Sequence, residues 1–110
     1  MSNEGSAATL ARLELEFQLL AEAMKNAAAE ENHHVVADEA VKLHMDPTAP
    51  SRGPSSAWQK IENGLALWFQ WRYYDQSHPF SIQKDMNILS LELREGEKVL
   101  KRAEERFEDD

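Results

Sequence analysis

Between Asp46 and Ser56 the chain reads DPTAPSRGPSS, with three prolines and a glycine in eleven residues. Proline fixes φ, lacks an amide donor and pushes the residue before it toward extended backbone, so no helix can run through this segment. The chain must therefore fold in two parts joined here, and 46–56 reads as a Pro-rich linker.

The part before the linker contains no glycine or proline from Ser6 to Asp46 and is rich in alanine. Alanine loses no side-chain entropy in a helix, which favours helix over any alternative. Leu10, Leu13, Phe17, Leu20, Met24 and Ala27 recur at alternating steps of three and four, one apolar stripe along a helix. The stripe fades through Glu30–His34 and resumes with Val35 or Val36, Ala40 and Leu43. This predicts a long helix over about residues 7–45, kinked near Asn32, with two helices meeting there as the alternative.

After the linker, Ser56 and Gln59 have the S-x-x-Q spacing of a capping box, which places a helix over 57–74. Trp58, Ile61, Leu65 and Trp68 would form one of its stripes, and Gly64, Leu67, Trp71 and Tyr74 a second. A helix apolar over that much of its circumference belongs in the centre of a bundle. Asp75–Phe80 reads as a tight connection and Ser81 as the next N-cap. From there Ile82, Met86, Leu89, Leu93, Gly96, Leu100, Ala103 and Phe107 follow a heptad rhythm, predicting a coiled-coil-like helix over 81–107. Gly96, at a core position of that rhythm, suggests either close approach of a large ring or a tolerated weak point. The expected fold is one all-α domain spanning 1–110, a small helical bundle of three or four helices with a long N-terminal helix.

Composition narrows the function classes. Twenty acids against twelve bases give a formal charge of −8, a poor match for phosphate backbones or anionic lipid. The charge divides unevenly. Residues 1–45 hold eight acids and three bases, residues 46–80 three of each, and residues 81–110 nine acids and six bases. With no cysteine there is no disulfide, thiolate nucleophile or cysteine zinc site. The opening MSNEGSAATLAR lacks the features of a signal peptide, and no apolar run approaches the ~18 residues of a membrane span, so a cytoplasmic protein is expected.

Two clusters could carry function. Glu30-Glu31-Asn32-His33-His34, followed by Asp38, contains two Glu-x-x-His pairs. On a helix that spacing sets a carboxylate and an imidazole one turn apart, as di-iron carboxylate bundles use it. Glu30, Glu31, His33, His34 and Asp38 are thus candidate metal ligands, although the 57–74 segment offers only Glu62 as a facing carboxylate. The bland alternative is a solvated polar stretch. The second cluster is Trp68-Phe69-Gln70-Trp71-Arg72-Tyr73-Tyr74. Its rings would point all round a helix, more than one small domain can cover, and Trp, Tyr and Arg are enriched at binding hot spots. Trp68, Phe69, Trp71, Arg72, Tyr73 and Tyr74 are therefore candidate partner-binding residues, with a small-molecule pocket between helices as a lesser possibility. His44 and His78 stand alone, and no phosphate loop, nucleophile elbow or HExxH motif occurs.

The functional expectation is a non-catalytic protein–protein interaction module, an adaptor, assembly factor or regulatory subunit, that self-associates as a homo-oligomer and needs no cofactor. Direct contact with nucleic acid or membrane is not expected. The alternatives are a di-iron or ferroxidase-like metal protein centred on residues 30–34, and an acidic inhibitor of a nucleic-acid-binding protein.

Overall fold

Two tight turns govern the second half of the chain. Asn63 and Gly64 both hold positive φ, 49° and 77°, as a type I′ hairpin turn requires. Gly96, with φ of 60°, opens a two-residue Gly96–Glu97 turn, the position that type II′ reserves for glycine. Each turn reverses an extended chain, so the residues on either side pair as strands. The structure, a computed structural model, describes residues 3–48, 55–74 and 85–109.

Within these residues lie helices α1 (Asn3–Glu30) and α2 (His34–Lys42) and strands β1 (Asp46–Thr48), β2 (Ser55–Glu62), β3 (Leu65–Tyr74), β4 (Asp85–Glu95) and β5 (Lys98–Asp109). The strands form one antiparallel sheet in the order β1-β2-β3-β4-β5. Glu62 faces Leu65 across the first turn and Glu95 faces Lys98 across the second.

This overturns the all-α bundle. Residues 57–74 are not a central helix, and the described part of 81–107 is not a coiled-coil helix but the β4–β5 hairpin. Ser56 and Gln59, read as a capping box, both lie in β2. Asp46–Thr48 is not linker: it pairs with β2 through Asp46↔Gln59, Pro47↔Trp58 and Thr48↔Ala57. Gly96 has nothing within 4 Å of where a Cβ would sit, so neither a filling ring nor a weak core position accounts for it; the turn does. Residues 49–54 of the linker, the Asp75–Phe80 connection and the Ser81 cap lie outside the described residues.

The physical reason is period. Leu65, Leu67, Phe69, Trp71 and Tyr73 alternate along β3, and Leu89, Leu91 and Leu93 along β4. A step of four keeps a residue on the same face of a strand as well as of a helix, so Leu89→Leu93 and Ala103→Phe107 fit both periods. A step of three does not fit a strand: Met86→Leu89 crosses to the opposite face of β4, and the structure absorbs the other two. Leu93→Gly96 ends in a turn. Leu100→Ala103 spans a β-bulge, where Leu93↔Lys101 is followed by Arg94↔Val99 and leaves Leu100 as the extra residue. Both Leu100 and Ala103 consequently pack against the core.

The N-terminal half is helical, as its composition requires, but in two pieces. Glu31, at φ 54°, ends α1 with Asn32 N–H bonded to the Ala27 carbonyl (2.9 Å) and Glu31 N–H to that of Ala28 (3.4 Å). That is a Schellman motif with glutamate in glycine's usual place. The Asn32 side-chain oxygen then accepts from His34 N–H at 3.0 Å, starting α2. α2 ends the same way: His44 has φ 59°, Met45 N–H bonds Ala40 O and His44 N–H bonds Val41 O, both at 3.0 Å.

The predicted stripe Leu13, Phe17, Leu20, Met24 and Ala27 is buried, with Val36 and Ala40 of α2, against Leu65, Leu67, Phe69, Leu89, Leu91, Leu93 and Phe107. Each such side chain contributes roughly 1.5–3 kcal/mol by leaving water. All the strand residues in this group share one face, so both helices cover the same side of the sheet. An ion pair clamps that side: Lys60 Nζ of β2 donates to both oxygens of Glu16 on α1 (2.9 and 3.1 Å) and to the Leu43 carbonyl (2.9 Å). Arg12 joins Glu16 at 3.0 Å and also pairs with Glu62. No described helix is long and apolar enough to cross a membrane.

Candidate functional site

As a strand, β3 sends alternate side chains to opposite faces, so the aromatic block divides. Phe69, Trp71 and Tyr73 face the helices, while Trp68 and Arg72 share the far face. Tyr74 lies in β3 opposite Met86, and its side chain is outside the described residues. The six candidate partner-binding residues thus do not form one patch. Phe69 is fully buried, with its ring 5.6 Å from that of Trp58, and is core.

At the end of the sheet away from the two turns, the helix-facing half of the block enters a polar cluster. The His33 imidazole lies parallel to the Trp71 indole, 3.9 Å between centroids and 7° between planes. Trp71 Nε1 donates to Asn87 Oδ1 at 2.9 Å. Tyr73 sits directly opposite Asn87, and its hydroxyl donates to the Asp85 carboxylate. Asn87 is only 2 % exposed, and its buried Nδ2 has no hydrogen-bond partner among the described residues. The amide orientation is fixed by chemistry, because an indole N–H can only donate and so requires the Asn87 oxygen. A buried donor left unpaired costs about 1–3 kcal/mol, which makes this group conspicuous.

The far face is different. Its rows across β3, β4 and β5 run Trp68–Glu92–Arg102, Gln70–Ser90–Glu104 and Arg72–Ile88–Arg106, with Ala66–Arg94–Val99 at the turn end. Ile61 of β2, beside Ala66, is 64 % exposed. The Arg94 guanidinium lies 5.5 Å from the Trp68 ring centroid and pairs with Glu92. Arg102 and Arg106 approach Glu104 at 3.9 and 3.3 Å. Among the described residues every base on this face is arginine, whereas Lys60 and Lys101 belong to the helix-facing positions.

The metal candidates are dispersed by the break between α1 and α2. Glu30 ends α1, Glu31 takes the left-handed conformation, His33 stacks on Trp71 and only His34 and Asp38 belong to α2. The one-turn spacing of Glu30/His33 and Glu31/His34 therefore does not exist. Among the described residues no three His, Asp or Glu side chains are gathered to hold an ion. Asp38 instead lines an open groove of about 370 Å³ between the helices, with Leu19, Glu22, Ala23 and Lys42.

Asn87 and Asp85 were not visible as candidates in the sequence. Once β4 is known, the signal is plain: both polar residues fall at the same parity as Leu89, Leu91 and Leu93, where the core is expected. Compared with known proteins, the chain finds no matching family model, curated sequence or solved structure. Its functional reading rests on its own chemistry.

Proposed function

We propose that the protein is a non-catalytic interaction module that self-associates through the far face of its sheet. The observation that carries this reading is the segregation of arginine onto that face, where Arg72, Arg94, Arg102 and Arg106 surround Trp68 and Ile88. Arginine and tryptophan are enriched at protein–protein contacts and lysine depleted, because a planar guanidinium is weakly hydrated and stacks well. Glu92 and Glu104 alternate with the arginines, so the face is complementary to itself rather than a basic track for nucleic acid. A two-fold contact between identical faces requires such self-complementarity.

Sedimentation equilibrium tests it. The wild type is expected to form a dimer, and Trp68→Glu or Ile88→Glu to give monomers with unchanged circular dichroism. A wild-type chain that stays monomeric at about 100 µM, where micromolar contacts are populated, removes the reading. A complex with another acidic-site-binding protein that collapses with salt would instead favour the inhibitor alternative.

A further inference from the structure

The unpaired donor on Asn87 belongs to the opposite face and is independent of self-association. We propose that the cluster around it is a binding site for a small, neutral, planar molecule bearing a carbonyl oxygen. Asn87 Nδ2 would donate to that oxygen and Trp71 would be the stacking floor.

Three observations define the ligand. First, Asn87 Oδ1 is committed to Trp71 Nε1 at 2.9 Å, so the remaining group is a pure donor and its partner must be an acceptor. Second, among the described strand residues the charged side chains of this face at this end are acidic. Asp85 lies two residues from Asn87 on the same face, and Glu105 pairs with Leu89. The described strand bases of this face, Lys60, Lys98 and Lys101, stand opposite Leu67, Glu95 and Leu93, toward the turns. A carboxylate ligand would meet like charge here, whereas a neutral carbonyl would not. Third, the Trp71 indole already carries a flat five-membered ring, that of His33, nearly parallel at 3.9 Å. His33 is the N-cap of α2, where its carbonyl accepts from Val36 and Ala37 N–H (3.1 and 3.4 Å), so its backbone stays and only its ring turns aside about the side-chain bonds. A flat ligand ring replaces the imidazole on the indole and brings its carbonyl to the amide. Tyr73, opposite Asn87 and bonded to Asp85, forms the adjoining wall.

The test uses the full-length chain, 15N-labelled, titrated with benzamide, benzoate and cyclohexanecarboxamide. The readouts are the Asn87 side-chain amide pair and the Trp71 indole N–H. Benzamide is expected to shift both, with saturation. Benzoate tests charge and cyclohexanecarboxamide tests planarity, and each is expected to bind at least tenfold more weakly. Asn87→Asp keeps an acceptor for Trp71 while removing the donor, and should weaken benzamide at least tenfold. His33→Ala clears the indole and should tighten it several-fold. Should Asn87→Asp fail to fold, the wild-type titration and His33→Ala still decide the question. The proposal is overturned if the Asn87 amide signals do not move up to the solubility limit of benzamide in either the wild type or His33→Ala. Cross-relaxation of that amide to a long-lived water would then identify water as its partner.

Discussion

On the helix-facing side of the sheet, Lys60 meets Glu16 and the Leu43 carbonyl where the two side chains are only 15 % and 9 % exposed. On the far side, Arg102 and Arg106 reach Glu104 while keeping more than half of their own surface in water. The same strands thus use charge in two ways. The closed pair fixes α1 to β2, and its value lies in geometry that solvent cannot replace. The open arginines contribute little to the fold, since exposed pairs give about 0–1 kcal/mol, and they remain available to another surface. On the far face Ser90 and Glu92 are themselves buried, so it is the arginine heads, not the whole face, that stand in water.

The contrast can be broken most forcefully at the core. Phe69→Ala, on the roofed side, should cost about 3–5 kcal/mol in urea unfolding, because it removes a fully buried ring from under α1. Its immediate neighbour Trp68→Ala, only partly buried on the far face, should cost clearly less than Phe69→Ala in urea unfolding while dissolving the proposed dimer in sedimentation. Equal losses at 68 and 69 would mean that the faces are not distinct. Lys60→Met should cost about 2 kcal/mol, since Glu16 keeps Arg12 but loses two charge-assisted bonds. Arg102→Met, the matching change outside, should leave the urea midpoint almost unchanged. The smallest effect has the opposite sign: His44→Gly should stabilise by up to about 1 kcal/mol, because glycine takes the left-handed conformation without a Cβ clash. A loss of stability there would show that the His44 side chain contributes more than its backbone strain costs.

What the sequence made legible depended on whether period and punctuation agreed. In α1 they did. The stripe from Leu13 to Ala27 is read correctly because no turn residue interrupts it and alanine reinforces the helix. Both helix ends were obscured for one reason: Glu31 and His44 occupy positions where glycine is the usual signal. In the second half the punctuation was present but outweighed by spacing. Asn63-Gly64, between the alternating runs of β2 and β3, is a strong hairpin signal, yet Gly64 also fits a helical stripe. The heptad rhythm of 82–107 arises because steps of four satisfy both periods and because a turn and a bulge take up two of the three steps of three, while the third, Met86→Leu89, merely changes face. The candidate site was hidden by the same ambiguity of period. Reading β3 as a helix spreads its rings round a cylinder, whereas a strand sorts them to two sides. That sorting separates Trp68 and Arg72 from Trp71 and Tyr73, and it exposes Asn87 as a polar residue at a core position.

The margins of the sheet have a consequence for how copies can associate. At one side β1 is only three residues long and contains Pro47, which has no amide proton to offer. At the other, β5 carries Lys101, Arg102, Glu104, Glu105 and Arg106 in near-continuous sequence. Such margins resist the addition of a further strand from another molecule. Lateral growth into ribbons or fibres is discouraged at both sides, and a face-to-face contact, as in the proposed self-association, would close after two copies.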